Sequence, residues 1–223
     1  MLAALTLLFI GNEVVAQEDV PRFEIGGQFS LLNRNNPSSD FFAPPPRIRP
    51  GFGARFTYNV TNNVALEAEG NFFPARHDNT GFPSGDIYQG QFGVKAGKRF
   101  NQLNLFIKGR PGFIGFTRVS HLLGFTRITI IHPNLGPLQF DNPEFRIGKA
   151  TYPSLDVGGV VEFYPSRRVV TRLDIGDTII RYGTYREALS GPCATICFPP
   201  EVFERPAETR HNLQFSAGID IRF

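Results

Sequence analysis

The chain has 223 residues, with 23 Lys and Arg against 20 Asp and Glu, and only 19% of its residues are charged. Phe and Gly each number 23, Pro 18, Met 1 and Trp 0. Abundant β-branched and aromatic residues exclude disorder, and that composition excludes a helical bundle. No apolar run reaches the roughly 20 residues of a membrane-spanning helix, and no Lys/Arg block points to nucleic acid.

Residues 1–10, MLAALTLLFI, have the length of a secretory h-region and are too short to cross a bilayer. No basic n-region precedes them. Val14-Val15-Ala16 before Gln17 predicts signal-peptidase cleavage after Ala16. Residues 1–16 are therefore expected to be a signal peptide, and 17–223 one non-cytosolic domain.

The remaining chain alternates with period two, the mark of strands half-buried on one face. In 23–32, Phe23, Ile25, Phe29 and Leu31 oppose Glu24, Gln28 and Ser30. In 52–60, Phe52, Ala54, Phe56 and Tyr58 oppose Arg55, Thr57 and Asn59. In 64–72, Val64, Leu66, Ala68 and Phe72 oppose Glu67, Glu69 and Asn71. In 88–100, Tyr88, Phe92, Val94 and Ala96 oppose Gln89, Gln91 and Lys95. In 103–117, Leu105, Ile107 and Phe113 oppose Asn104, Lys108 and Arg110, although Phe106, Ile114 and Phe116 blur the phase. In 155–164, Leu155, Val157, Val161 and Phe163 oppose Asp156 and Glu162. In 169–182, Leu173 and Ile175 oppose Arg172 and Asp174. In 211–223, Leu213, Phe215, Ala217, Ile219, Ile221 and Phe223 oppose Asn212, Gln214, Ser216, Asp220 and Arg222.

Connections between these eight predicted strands alternate long and short. The long ones are 33–50, 73–87, 118–153 and 183–210; three tight turns make up the rest. An up-and-down outer-membrane barrel has that asymmetry, with short periplasmic turns and long extracellular loops. The segment 118–153 contains RITIIHP and PLQF, which suit either a hairpin above the membrane or two further spanning strands, giving ten. Eight is preferred because Pro133, Pro137 and Pro143 disfavour continuous ladders there.

Period two does not say which face is inside, and a soluble lipocalin-like barrel binding an apolar ligand has the same pattern. Three features favour the membrane. The polar face carries nearly balanced charge, which suits pairing in a narrow lumen. Aromatics gather near strand ends at Phe23, Tyr58, Phe72, Phe73, Phe100, Phe163, Tyr164, Tyr182 and Phe223, as interface girdles do. The chain stops on an alternating strand ending in Phe223.

The stretch LQFSAGIDIRF resembles the C-terminal strand of bacterial outer-membrane barrels. The pattern over 23–223 resembles the small eight-stranded group typified by the membrane domain of outer-membrane protein A. No periplasmic peptidoglycan-binding domain is expected after the last strand, so the resemblance is more to the barrel-only members. The resemblance implies an all-β transmembrane up-and-down antiparallel barrel in a Gram-negative-type outer membrane, surrounded by lipid. It also implies a terminal strand (Phe215, Ile219, Ile221, Phe223) read by the barrel-assembly machinery, through strand addition.

An eight-stranded barrel is only wide enough for its own side chains. A lumen charge network is expected from Arg55, Glu67, Glu69, Lys95, Lys108, Arg110, Asp156, Glu162, Arg172 and Asp174. Glu67, Glu69, Arg110 and Arg172 are its expected centre. The network is read as structural first and as a gate second. Cys193 and Cys197 are expected to oxidise to a small-loop disulfide outside the cytosol. Two thiolates without a nearby His make a poor closed metal site, and no cofactor is expected. Ser120 and His121 are adjacent, so a strand would point them to opposite faces. No nucleophile, base and orienting group can be placed together, and a lipid-modifying enzyme is not expected. The expected role is structural or surface-interactive, through the long loops and a partner there. The alternative is a narrow porin for ions or small polar solutes.

Overall fold

The computed structural model describes residues 21–35, 47–75, 85–100, 103–132, 136–189 and 201–223. The expected signal segment, the aromatic-proline stretch 40–46, and Cys193 and Cys197 lie outside the described residues.

Ten strands form, in chain order β1 (Phe23–Arg34), β2 (Arg47–Asn59), β3 (Val64–Phe73), β4 (Ile87–Arg99), β5 (Leu103–His132), β6 (Gly136–Phe163), β7 (Val169–Tyr182), β8 (Tyr185–Leu189), β9 (Glu201–Arg205) and β10 (Glu208–Arg222). Eight of them close an antiparallel barrel in the order β1-β10-β7-β6-β5-β4-β3-β2, while β8 and β9 pair separately. The barrel strands are therefore eight rather than ten. All their neighbours but the closing pair are consecutive hairpin partners, save that β8 and β9 intervene between β7 and β10.

Alternation sets two very different faces. Outward residues are apolar and exposed, among them Ile25, Phe56, Phe92, Ile107, Leu173, Ile175, Phe215 and Ile219. Inward residues are polar and buried, with Glu67, Lys95, Asp156, Glu162 and Arg172 at 0% exposure. An apolar outside with an ionic inside is the reverse of a water-soluble barrel and is the arrangement of a transmembrane one. Each hydrocarbon-facing strand has a partner on both sides, so the closed ladder leaves no edge in lipid.

The segment 118–153 forms the hairpin beyond the barrel that its RITIIHP and PLQF strings suit, rather than two further spanning strands. β5 and β6 run on as partners from Val119↔Gly148 to His132↔Gly136, past the last β4–β5 pair at Phe116 and the last β6–β7 pair at Ser154. Register shifts fall between Phe116 and Val119 and between Leu122 and Gly124. The result is a two-stranded ribbon projecting from the long-loop end, about 45 Å long at roughly 3.4 Å per residue. Pro137 and Pro143 do not break it. Each has a partner on one side only, and a missing N–H costs little on a free edge.

The expected aromatic girdle is also corrected at three positions. Phe73 and Tyr182 point into the barrel and are 0% and 4% exposed, and Tyr164 turns its hydroxyl to buried Glu162, while Phe23, Phe72, Phe100, Phe163 and Phe223 face outward. Phe73 follows Phe72 on one strand, so the pair must split between the faces.

Candidate functional site

The lumen is filled in two layers. The larger layer is ionic. Glu67 of β3 meets Arg172 of β7, with one contact of 3.0 Å from Nη2 to Oε2 and a shorter one from Nη1 to Oε1. Arg172 Nε also donates to Asp174 at 2.8 Å. Arg110 of β5 grips two carboxylates, Glu69 at 2.6 Å and Asp156 at 2.6 Å. Lys108 bridges Asp156 at 2.8 Å and Asp174 at 3.2 Å. Arg55 spans Glu69 at 3.1 Å, Asp174 at 3.3 Å and Asp220 at 3.5 Å. Lys95 pairs closely with Glu162 and lies 3.5 Å from Glu67.

All ten expected network residues are thus buried and joined. Glu24, Asp220 and Arg222 extend the same set: Arg222 Nε donates to Glu24 at 2.8 Å. Among the described residues seven buried carboxylates (Glu24, Glu67, Glu69, Asp156, Glu162, Asp174, Asp220) face six buried cations (Arg55, Lys95, Lys108, Arg110, Arg172, Arg222), while buried Arg49 lies at the long-loop end and donates to the Pro74 and Gly85 carbonyl oxygens at 2.8 Å. The charges of the layer nearly balance. Ions removed from water cost several kcal/mol each unless paired, so this matching is what makes such a lumen tolerable. Neutral groups satisfy the rest: Gln28 donates to Asn71 at 2.7 Å, and Gln89 donates to Gln214 at 3.1 Å.

The second layer is apolar and sits at the long-loop mouth. Leu32, Phe73, Ile87, Ile114, Phe116, Ile180 and Tyr182 form a buried cluster, with Val119 and Tyr152 packed against it. Tyr152 and Tyr182 have ring centroids 4.8 Å apart. Sequence reading missed this layer. Its trace was the blurred phase of β5, where Ile114 and Phe116 occupy the same face as Lys108 and Arg110. Phe106 is the third such residue, and it lies lower, under Lys95 Nζ at 4.9 Å and the Arg99 guanidinium at 5.4 Å.

At the short-turn end Arg222 lies 3.8 Å over the Tyr164 ring, and the Tyr164 hydroxyl donates to Glu162 at 2.8 Å. Burial, aided by the Glu162 carboxylate, pushes the Tyr164 hydroxyl above the usual phenol range. It stays a donor across ordinary pH. Phe23 and Phe223 exchange backbone hydrogen bonds of 3.2 and 3.0 Å and stack at 6.1 Å. Phe215, Ile219 and Ile221 lie outward on β10.

The ribbon is the other distinctive feature. Ile131 is 80% exposed, Leu123 61% and Phe145 50%, with Phe125, Ile128 and Ile147 also exposed. Arg127 and Asp141 pair across it at 3.1 Å. His121 falls opposite Arg146 in the register. Among the described residues no group of three or more His, Cys, Asp or Glu is placed to hold a metal ion.

No protein-family model and no curated protein matches the sequence. Solved structures of similar shape include Neisserial surface protein A, at 12% identity and TM-score 0.47, covering 90% of this chain and 97% of that one. Ail, the attachment invasion locus protein of Yersinia pestis, gives 12% identity and TM-score 0.44, covering 91% and 97%. The N-terminal β-barrel domain of Pseudomonas aeruginosa OprF gives 11% identity and TM-score 0.40, covering 90% and 97%. These likenesses are of overall shape alone.

Proposed function

We propose that this chain is an outer-membrane β-barrel, closed through its lumen, that acts at the cell surface through the projecting β5–β6 ribbon. The ribbon carries this reading. A two-stranded hairpin is marginal alone in water, and this one exposes Leu123, Phe125, Ile128, Ile131, Phe145 and Ile147. Exposed apolar groups on an element with free edges are what a surface partner can cover. The short-turn end then faces the periplasm and the ribbon faces outward. The terminal strand, with Phe215, Ile219, Ile221 and Phe223, supplies the signal to the assembly machinery by strand addition.

The narrow-porin reading meets two obstacles. A solute must first pass the apolar cluster at the mouth, then separate ion pairs such as Glu67–Arg172. The charge network therefore serves as a structural filling, and catalysis has no assembled site in this reading.

The test displays the full chain on Gram-negative cells beside a variant in which residues 119–148 are replaced by a two-residue turn. With equal amounts of folded barrel at the surface, attachment of cells to protein-coated and bare surfaces is expected to fall in the shortened variant. Equal attachment by both overturns the proposal.

A further inference from the structure

The membrane-facing wall is not evenly covered. Across β2, β3 and β4 the register sets Ala54, Gly70 and Gly90 side by side, since Ala54 pairs with Gly70 and Gly70 with Gly90. Ala68 stands one outward step away on β3. Ala54, Ala68 and Gly70 floor an outward groove with a volume of about 500 Å³, and the Phe113 ring lies over Gly90, where a Cβ would fall 2.7 Å from Cζ. Phe56 walls it on the β2 side, and Phe92 and Phe113 wall it on the β5 side.

Two details show that the groove is open and built into the backbone. A Cβ placed on Gly70 meets nothing nearer than the Gln89 carbonyl oxygen at 4.0 Å. At the far wall the β4–β5 register runs from Gln91↔Gly112 directly to Val94↔Gly109. The gap falls where Pro111, another lining residue, has no N–H to give to the ladder.

We infer that this groove is a binding site for one acyl chain of a membrane lipid. Its volume lies within the roughly 300–1,000 Å³ of small-molecule sites. Its footprint is about three strand spacings by four residues, on the order of 200 Å². A stable protein interface needs roughly 800 Å² per partner, so the groove is too small to be a contact with a second copy. It lies on the apolar belt, where hydrocarbon is the surrounding medium. Small residues admit a chain to the backbone, and the three Phe rings restrict its sideways motion. The lipid held there exchanges more slowly than those around it.

The test uses the full barrel refolded into vesicles of phosphatidylethanolamine and phosphatidylglycerol, extracted in mild detergent and weighed by native mass spectrometry. The wild type is expected to carry one phospholipid through conditions that strip the rest. Gly70→Leu fills the groove and is expected to lose it, at least tenfold in the lipid-bound fraction. Ala54→Leu, on the neighbouring strand, is expected to do the same and guards against misfolding of either variant. Ala96→Leu lies outward on β4 away from the groove and is expected to keep the lipid. A wild type that flies bare, or Gly70→Leu and Ala54→Leu variants that fold and keep the lipid, overturns the inference. So does a wild-type dimer that Gly70→Leu converts to monomer, which would assign the groove to a second copy.

Discussion

Arg172 and Glu67 sit on strands that face each other across the barrel, β7 and β3, with three strands between them on either side. Their side chains still meet, at 3.0 Å from Nη2 to Oε2. The lumen is therefore no wider than two long side chains end to end, and ion pairs tie opposite walls together.

Removing one partner leaves the other charge buried. Glu67→Ala is expected to destabilise the barrel by about 3–5 kcal/mol, because Arg172 loses a buried anion. Combining Glu67→Leu with Arg172→Met is expected to cost less than the sum of the two single changes. Urea unfolding in lipid vesicles measures all of these. An additive result would mean that the pair does not couple the walls.

Close approach of backbone to charge makes Gly176 sensitive. A Cβ there falls 2.5 Å from Asp156 Oδ1 and 3.2 Å from Lys108 Cε. Both side chains are anchored by ion pairs, Asp156 through Oδ2 and Lys108 through Nζ, and the Val157 carbonyl oxygen lies 3.1 Å from the same Cβ. Gly176→Ala is expected to lose roughly 1–3 kcal/mol as overpacking. The same substitution at outward Gly27, where the nearest atom is 3.9 Å away, is expected to be near neutral. The comparison is read from two unfolding curves.

The chain from Gln17 to Phe223, refolded and shown to insert, is expected to give no discrete conductance steps in a planar bilayer. Reproducible steps that change when Arg110 or Glu67 is neutralised would instead make the network a gate.

Limited trypsin treatment of the inserted barrel is expected to cut first in the ribbon, at exposed Arg127, Arg146 and Lys149. Sites at Lys95, Lys108, Arg110 and Arg172 are buried in the lumen and are expected to resist. Mass spectrometry of the fragments locates the cuts. Early cleavage within the lumen set would contradict the filled interior.

Much of the architecture was legible in the sequence because period-two alternation is a direct imprint of strand geometry. Charges on one face and Phe, Ile and Leu on the other were enough to identify Arg55, Glu67 and Arg172 as inward. Which charges meet was not legible: Glu67 with Arg172 and Arg110 with Glu69 depend on barrel width and stagger. The apolar mouth was hidden because Leu32, Phe73 and Ile180 break the polar pattern one residue at a time. The ribbon was legible in part, since RITIIHP and PLQF suit a hairpin above the membrane, but its unbroken pairing was not. Pro137 and Pro143 look like breakers, and local sequence does not reveal that their strand has left the sheet and has a free edge.

The seam between Phe23 and Phe223 has a consequence for how the molecule is made. The first barrel strand hydrogen-bonds to the last, from Glu24↔Arg222 to Leu32↔Gln214. Synthesis runs from one side of that seam to the other, so a chain stopped before β10 has seven barrel strands and two raw edges. No lumen pair involving Asp220 or Arg222 exists in such a chain. Completion is therefore registered at a single place and a single moment. A process that tested only the final strand would thereby test the whole product.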